Sequence, residues 1–472
     1  ADLQRAVVAR YGKDKTFSVP ILMLCAICGT LGEGRAAWRR VLPLPFELAA
    51  LPREWFGTIG LPVVSYALPA LIAIGHARFR LAPPAWWNPL GWLRRLAWPR
   101  IRPMLKELQP SSGGYLEATP LTSFVTMALA AAGEREHPCV EGAVQFLTRS
   151  MREDGCWPID TDLATWGTTL AVKSGVTLDD ASTRQIGEWL LGQQYRSVHP
   201  FTNAAPGGWA WTDLPGGVPD ADDTPGVLMA LHRLDLTDER VLPAVEAGMR
   251  WLLDLQNRDG GMPTFCRGWG TLPFDRSTPE LTAHALAAWW QWWERISDEG
   301  LKQRVLLGTR NALDYLKRVC RADGSWVPLW FGNERAAEEE NPVYGTAQVV
   351  NYLCAVPALA DQAEAMLKSA GGYLLAAQNA DGSWGGERGV SGTIEETAVA
   401  IQAVAALRRA GHLSQADEAL EKAGAWLLKT TEGGSRFEPS PIGLYFARLW
   451  YHEQLYPVVW ALGALRDLRR SG

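Results

Sequence analysis

A repeating unit of about 40 to 60 residues runs along the chain. It limits the fold more than any other feature. Each unit reads as an amphipathic helix, then Asp-Gly or Gly-Gly, and often a Trp. The clearest copies are Tyr373…Gln378-Asn-Ala-Asp381-Gly382-Ser-Trp384 and Trp251…Gln256-Asn-Arg-Asp259-Gly260-Gly-Met262. Two others end in Asp323-Gly324-Ser-Trp326 and Asp154-Gly155-Cys-Trp157. Weaker ones run from Trp189 through Gln193 to Gly208-Trp209, from Trp426 to Gly433-Gly434, and from Gln109 to Gly113-Gly114-Tyr115. A second apolar helix follows each unit, as over 282–293 and 397–408, rich in Ala, Leu and Val at helical spacing. Gly ends the first helix of each pair. Strand signals are scarce. The pattern predicts an all-α fold, a ring of paired helices. The repeated Gln is expected to cap a helix end with the indole stacked beneath it, so most motif tryptophans are structural.

The chain holds 23 Trp in 472 residues, and so many indoles need either a repeated structural use or an aromatic-lined cavity. A net charge of −5 lacks the basic footprint of a nucleic-acid partner. Cys25 and Cys28 form the one close cysteine pair, with no second pair to complete a zinc site. No apolar run reaches the roughly 20 residues of a spanning helix. The apolar, proline-rich stretch 42–76 suggests attachment to one leaflet or a greasy channel wall, or else a buried helical hairpin. Prolines 83, 84, 89, 99 and 103 predict a linker or irregular crossing over 82–105. A second boundary is expected near 180–195, dividing the chain into 1–180 and 181–472.

The sharpest chemical feature is Pro219-Asp220-Ala-Asp222-Asp223-Thr224, placed just before the apolar helical run 227–231. Aspartates at a helix start are often caps. Capping accounts for one or two of them and leaves a third in a like-charge cluster. In an apolar surround, desolvation and neighbouring charge would hold a proton on one of these acids. Such a group can protonate an isolated alkene.

Together with Pro206-Gly-Gly-Trp209-Ala-Trp211, this tetrad resembles the signature of squalene–hopene cyclases. The Gln–Trp repeats, Pro279-Glu280-Leu-Thr282-Ala-His284, Pro342-Val-Tyr344-Gly-Thr346 and Tyr11…Phe17 add to the resemblance, which covers nearly the whole chain. It implies an (α/α)6 toroid over 181–472 and a partial second toroid over 1–180. It also implies that the chain lacks an N-terminal part of the usual two-toroid protein. The implied activity is protonation-initiated cyclisation of a linear polyprene such as squalene to a hopene-like product. Asp222 is then the donor, flanked by Asp220 and Asp223. His284 hydrogen-bonds it, although a lone helical histidine is also an ordinary core residue. Glu280, one turn earlier, either orients His284 or is solvated. Trp211, Trp166, Trp330, Tyr445 and Phe265 match wall positions that would stabilise migrating cations by cation–π attraction, or else pack the core.

No metal or organic cofactor is implied. The expected partners are the polyprene and a membrane surface, and the expected location is the cytoplasmic face of a membrane. The segments 260–274 and 441–445 depart from the hopene-forming pattern and leave substrate and product open. Three rivals stand beside this reading. One is a class II cyclase of another prenyl substrate, and one is an inactive toroid scaffold. The third is a prenyltransferase-like toroid, whose zinc site Asp259, Cys266 and His284 fit poorly. Asp179-Asp180 lacks the rest of a magnesium-binding ionisation motif.

Overall fold

A computed structural model describes residues 2–11, 15–52, 55, 68–199, 202–265, 274–444 and 449–471. Among the described residues the regular structure is helical apart from one short antiparallel pair, Ile442–Leu444 against Leu449–Tyr451. The chain divides into two compact units. One comprises 1–163, 198–204 and 212–218; the other comprises 164–197, 205–211 and 219–472. The division falls after Leu163, earlier than the boundary read from the sequence, because the helix Ala164–Ser174 packs with the later helices.

Six helices form a closed inner ring in the second unit. They are Ala164–Ser174, Asp223–Leu234, Pro279–Gln291, Pro342–Cys354, Ile394–Arg409 and Leu455–Ser471. Each packs on the next, and the last returns to the first. Residues 223–231 and 279–289 are buried without interruption, as expected of helices enclosed on all sides. Helices such as Val241–Leu255, Glu299–Val319 and Asp417–Thr430 lie outside this ring and keep one polar face.

The repeats supply the joints. Gln256 Nε2 donates to the carbonyls of Gly260 (2.8 Å) and Gly308 (2.9 Å), the second belonging to the next outer helix. Gln378 does the same with Gly382 and Ala419, and Gln109 with Gly113 and Cys139. In the weaker unit the tie is made by Gln194, not Gln193, through Gly207 and Ala244. The amide therefore bridges two elements and is not a simple cap.

The indoles correct the stacking expectation as well. Nε1 of Trp209, Trp326 and Trp384 donates to Leu190, Leu316 and Leu374, carbonyls near the end of the preceding outer helix. Trp157 does so with Leu147 while remaining half exposed. A third joint reaches inward. The amides of Trp209, Met262, Trp326 and Trp384 donate to Oγ1 of Thr224, Thr282, Thr346 and Thr397 on inner helices. Gly260 has φ +91°, and a Cβ there would meet the Asn311 carbonyl at 2.1 Å, so only glycine fits this turn.

The first unit packs helices such as Leu68–Leu81, Pro89–Ile101, Thr119–Ala131 and Pro138–Ser150 around Phe46, Ile72, Ile101 and Leu129. Inside it, Arg94 is ion-paired with Glu47 at 2.8 Å. One expectation is narrowed here and one changes. Residues 72–74 are core, and residues 53–54 and 56–67 of the apolar stretch lie outside the described residues. The proline-rich 82–105 contains a real helix: Asn88 Oδ1 accepts the Leu90 amide, and Pro89 occupies a first-turn position that needs no donor.

Replacing Gln256 by Ala should leave two buried carbonyls unpaired and cost about 2–3 kcal/mol. A fall in the urea midpoint at unchanged helical circular dichroism would register it.

Candidate active site

The acid triplet sits where the inner helix Asp223–Leu234 begins. Asp220 does the capping: its Oδ1 accepts the amides of Asp222 (2.8 Å) and Asp223 (2.7 Å). The loop is held from two sides. The Asp220 amide donates to Trp209 O, and the Ala221 amide donates to Thr264 O. One carboxylate thus serves the helix end, and the Asp222 side chain makes no capping bond.

Asp222 instead meets His284. His284 Nδ1 lies 2.7 Å from Asp222 Oδ1. His284 projects from the neighbouring inner helix and its side chain is wholly buried, while Asp222 keeps 24% of its side chain accessible. One carboxylate oxygen is therefore fixed by the imidazole, and the acid retains an open face.

Asp220 and Asp223 are both buried, and each has an oxygen without a hydrogen-bond partner, Oδ2 and Oδ1 respectively. Burial pushes both acids upward. In Asp220 the amides of Asp222 and Asp223 work against that push; in Asp223 the charges of Asp220 and Asp222 add to it. The cluster consequently holds protons that an exposed aspartate would release.

Lys173 carried no signal in the sequence analysis. It lies in the last turn of an apolar helix, where a basic residue is unremarkable. Its Nζ stands 3.1 Å from His284 Nε2. Burial lowers the lysine to about 8 against the opposing pull of Asp222 and Asp223. His284 is lowered to about 4 by burial and Lys173, with the Asp222 bond acting in the other direction. The imidazole is thus neutral at neutral pH.

Glu280 is neither solvated nor bonded to His284. It accepts from the Thr278 hydroxyl and the Leu329 amide, and burial raises it to about 7. Its separation from His284 by one turn reflects two different neighbours.

Aromatic side chains gather in two groups. Phe265 contacts Trp211 (centroids 5.9 Å), Phe274 (5.2 Å) and Trp330 (6.5 Å). Trp330 Nε1 donates to Thr264 Oγ1, the residue whose carbonyl holds the acid loop. The second group is Phe331, Tyr344, Tyr456 and Trp460, with Trp166 Nε1 donating to the Tyr456 hydroxyl at 2.7 Å. Tyr352 stacks on His284 at 4.2 Å. Tyr344, Tyr352 and Tyr456 all sense the Asp222 charge, and burial pushes each phenol up. Tyr344 lies in a segment named from the sequence. Tyr352, Tyr456 and Trp460 carried no signal there, being aromatics at ordinary helical spacing. Tyr445 and Cys266 lie outside the described residues. Asp259 serves its own turn, accepting from the Gly261 amide and the Ser277 hydroxyl.

A closed ring of helices with an acid triplet at one helix start, and a histidine from the next helix on its middle member, is the arrangement that the resemblance seen in the sequence implies. Residues 158–392 match the family described as squalene-hopene cyclase C-terminal domain. The chain belongs to the squalene–hopene cyclase family. It is 29% identical over 299 residues to the squalene–hopene cyclase of Alicyclobacillus acidocaldarius, a match covering 56% of this chain and 43% of that protein. A probable squalene–hopene cyclase of Sinorhizobium fredii is 27% identical over 329 residues, covering 62% and 47%. The chain thus spans less than half the length of these two relatives. Among solved structures, the ent-copalyl diphosphate synthase from Streptomyces platensis shares the fold. Its TM-score is 0.55 at 19% identity, over 99% of this chain and 91% of that one.

Proposed function

We propose that this chain cyclises a linear polyprene, such as squalene, to a polycyclic, hopene-like terpene by protonating a terminal double bond. The observation that carries the reading is the 2.7 Å contact between Asp222 and the buried His284, made inside a ring of helices beside two aromatic groups. Asp222 gives its proton to the CH carbon of the terminal double bond, and a tertiary cation forms on the adjacent dimethyl-substituted carbon. Each further double bond then attacks the cation, closing a carbon–carbon bond and moving the charge along the chain. Loss of a proton, or capture of water, ends the sequence. His284 donates to the Asp222 oxygen and so stabilises the carboxylate left behind. Asp220 orders the loop and Asp223 keeps the surroundings acidic.

Trp166, Trp211, Trp330 and Phe265, with Tyr344 and Tyr456, offer faces worth about 0.5–2 kcal/mol each to a passing cation. They contain no carboxylate that would trap it. Tyr445 belongs to the same proposed wall by its sequence match. The relatives' names extend from squalene–hopene to ent-copalyl diphosphate synthesis, so the first assay should offer squalene alongside shorter polyprenes and identify products by mass spectrometry. Wild-type protein should yield cyclised isomers of the substrate or their hydrates. Asp222→Asn should yield none while its circular dichroism is unchanged; product from that variant would remove Asp222 as the donor.

A membrane surface is the proposed partner, and its cytoplasmic face the proposed location. The support lies in the first unit. Trp86, Trp87, Trp92, Leu93 and Leu96 are 53–75% exposed along the helix Pro89–Ile101 and its approach. Arg95 and Arg100 are exposed beside them, and residues 55–106 contain no Asp or Glu. Indoles with basic neighbours suit an anionic lipid interface. No described helix is long and apolar enough to cross a membrane. Wild-type protein should co-sediment with vesicles containing phosphatidylserine, and Trp86→Ser/Trp92→Ser/Leu96→Ser should lower the bound fraction at least about fivefold. Unchanged sedimentation of the triple variant would reject this face.

A further inference from the structure

Lys173 stands against the far side of the histidine that holds the acid. Its Nζ lies 3.1 Å from His284 Nε2, while His284 Nδ1 lies 2.7 Å from Asp222 Oδ1. The three groups form one line, ammonium to imidazole to carboxyl. Each comes from a different inner helix or its start: Ala164–Ser174, Pro279–Gln291 and Asp223–Leu234.

The usual explanation for a lysine in a helix's last turn is service to the free carbonyls there. That service is already supplied. Arg466 Nη1 donates to the carbonyls of Lys173 (3.3 Å) and Ser174 (2.8 Å). The lysine side chain turns inward instead, with its ammonium 5.5 Å from the Trp166 ring centre and 5.7 Å from that of Tyr352.

An ammonium has three donors and no acceptor. Facing it, His284 Nε2 must present its lone pair. The single proton of the neutral ring is then on Nδ1, aimed at Asp222. We propose that Lys173 is a positioning residue of the acid assembly: it fixes His284 as the Nδ1–H tautomer, and its positive charge stabilises the Asp222 carboxylate left by proton transfer. Lys173 keeps its own proton throughout. This inference rests on the reading of Asp222 as the proton donor.

The electrostatic surroundings give a pH signature. Lys173 is faced by Asp222 and Asp223 at the start of one neighbouring helix, by His284 from a second and by Tyr352 from a third. Tyr456, Arg466 and Asp467 belong to the packed helix Leu455–Ser471, and Arg233 approaches the turn at Gly175. The lysine, lowered to about 8, is charged below that pH and neutral above it. The positive charge is therefore lost as pH rises through about 8, and the neutral amine, able to accept as well as donate, no longer enforces the tautomer.

Two readouts test the proposal. The first needs no turnover: nitrogen-15 NMR of the seven labelled histidines, with the His284 signals assigned by their loss in His284→Gln. Wild type at pH 7 should show His284 protonated at Nδ1 and bare at Nε2, and Lys173→Met should shift it toward a tautomer mixture. The second is steady-state cyclisation, with squalene as the probe and the shorter polyprenes in parallel. Lys173→Met should lower kcat about 10–100-fold with KM within about twofold, and should erase the alkaline limb near pH 8. Lys173→Arg should recover most of kcat and move that limb upward. A wild-type His284 protonated at Nε2 would overturn the proposal. So would a Lys173→Met enzyme with unaltered tautomer or unaltered kcat. If wild type turns over no polyprene, the cyclase reading fails and the NMR result alone decides the role of Lys173.

Discussion

Crowding three aspartates into four residues and withdrawing them from water is an electrostatic cost that no fold accepts without compensation. Here the compensation is distributed. Asp220 receives two backbone amides, Asp222 receives the His284 ring, and Asp223, with an oxygen left unpaired, is pushed toward its neutral form. Much of the second unit's geometry serves that arrangement. The acid loop is tied to Trp209 on one side and Thr264 on the other, and the histidine and lysine arrive on separate helices of the ring. A site assembled from three helices is only as well placed as the contacts between them. This gives the Gln, Trp and Thr joints a role in the proposed chemistry, which they never touch.

Those joints also explain how a low-identity chain retains the fold. The modules at Gln194 and Gln378 use a side-chain amide to span two carbonyls, an indole N–H to take a third, and a threonine hydroxyl to reach the inner helix, and the others keep part of this set. The apolar positions between them can vary as long as volume is kept. The modules at Gln256, Gln194 and Gln378 repeat the same amide geometry despite different local sequences.

Periodicity made the helix pairs legible, and the turn glycines marked where the outer helices stop. What joins the pairs was less legible. Gln193 and Gln194 are adjacent amides at the end of one helix, and only the direction of each side chain selects the second as the tie. Pro89 read as a break, yet a proline in a first turn is compatible with the helix that follows. In the site, Asp220, Asp222, Asp223 and His284 were named from motif spacing, and the structure brings Asp222 and His284 into contact. Lys173, Tyr352, Tyr456 and Trp460 were invisible because each is an ordinary residue for its helix. Their meaning comes from neighbours 50 to 300 residues away along the chain, as with the 290-residue separation of Trp166 and Tyr456. Glu280 shows the reverse error: helical spacing suggested a partner in His284, and tertiary packing gave it Thr278 and Leu329.

Cyclisation begun by a carboxylic acid must leave solvent hydrogen in the product, because the acid exchanges with water between turnovers. Running the reaction in D2O and locating deuterium in the product by NMR asks that question directly. The account predicts one deuterium per molecule in the first ring, on the methylene carbon next to the dimethyl-substituted carbon. Cyclised product with only protium at that methylene would mean that the first cation arises by another route, and that Asp222 is not its source.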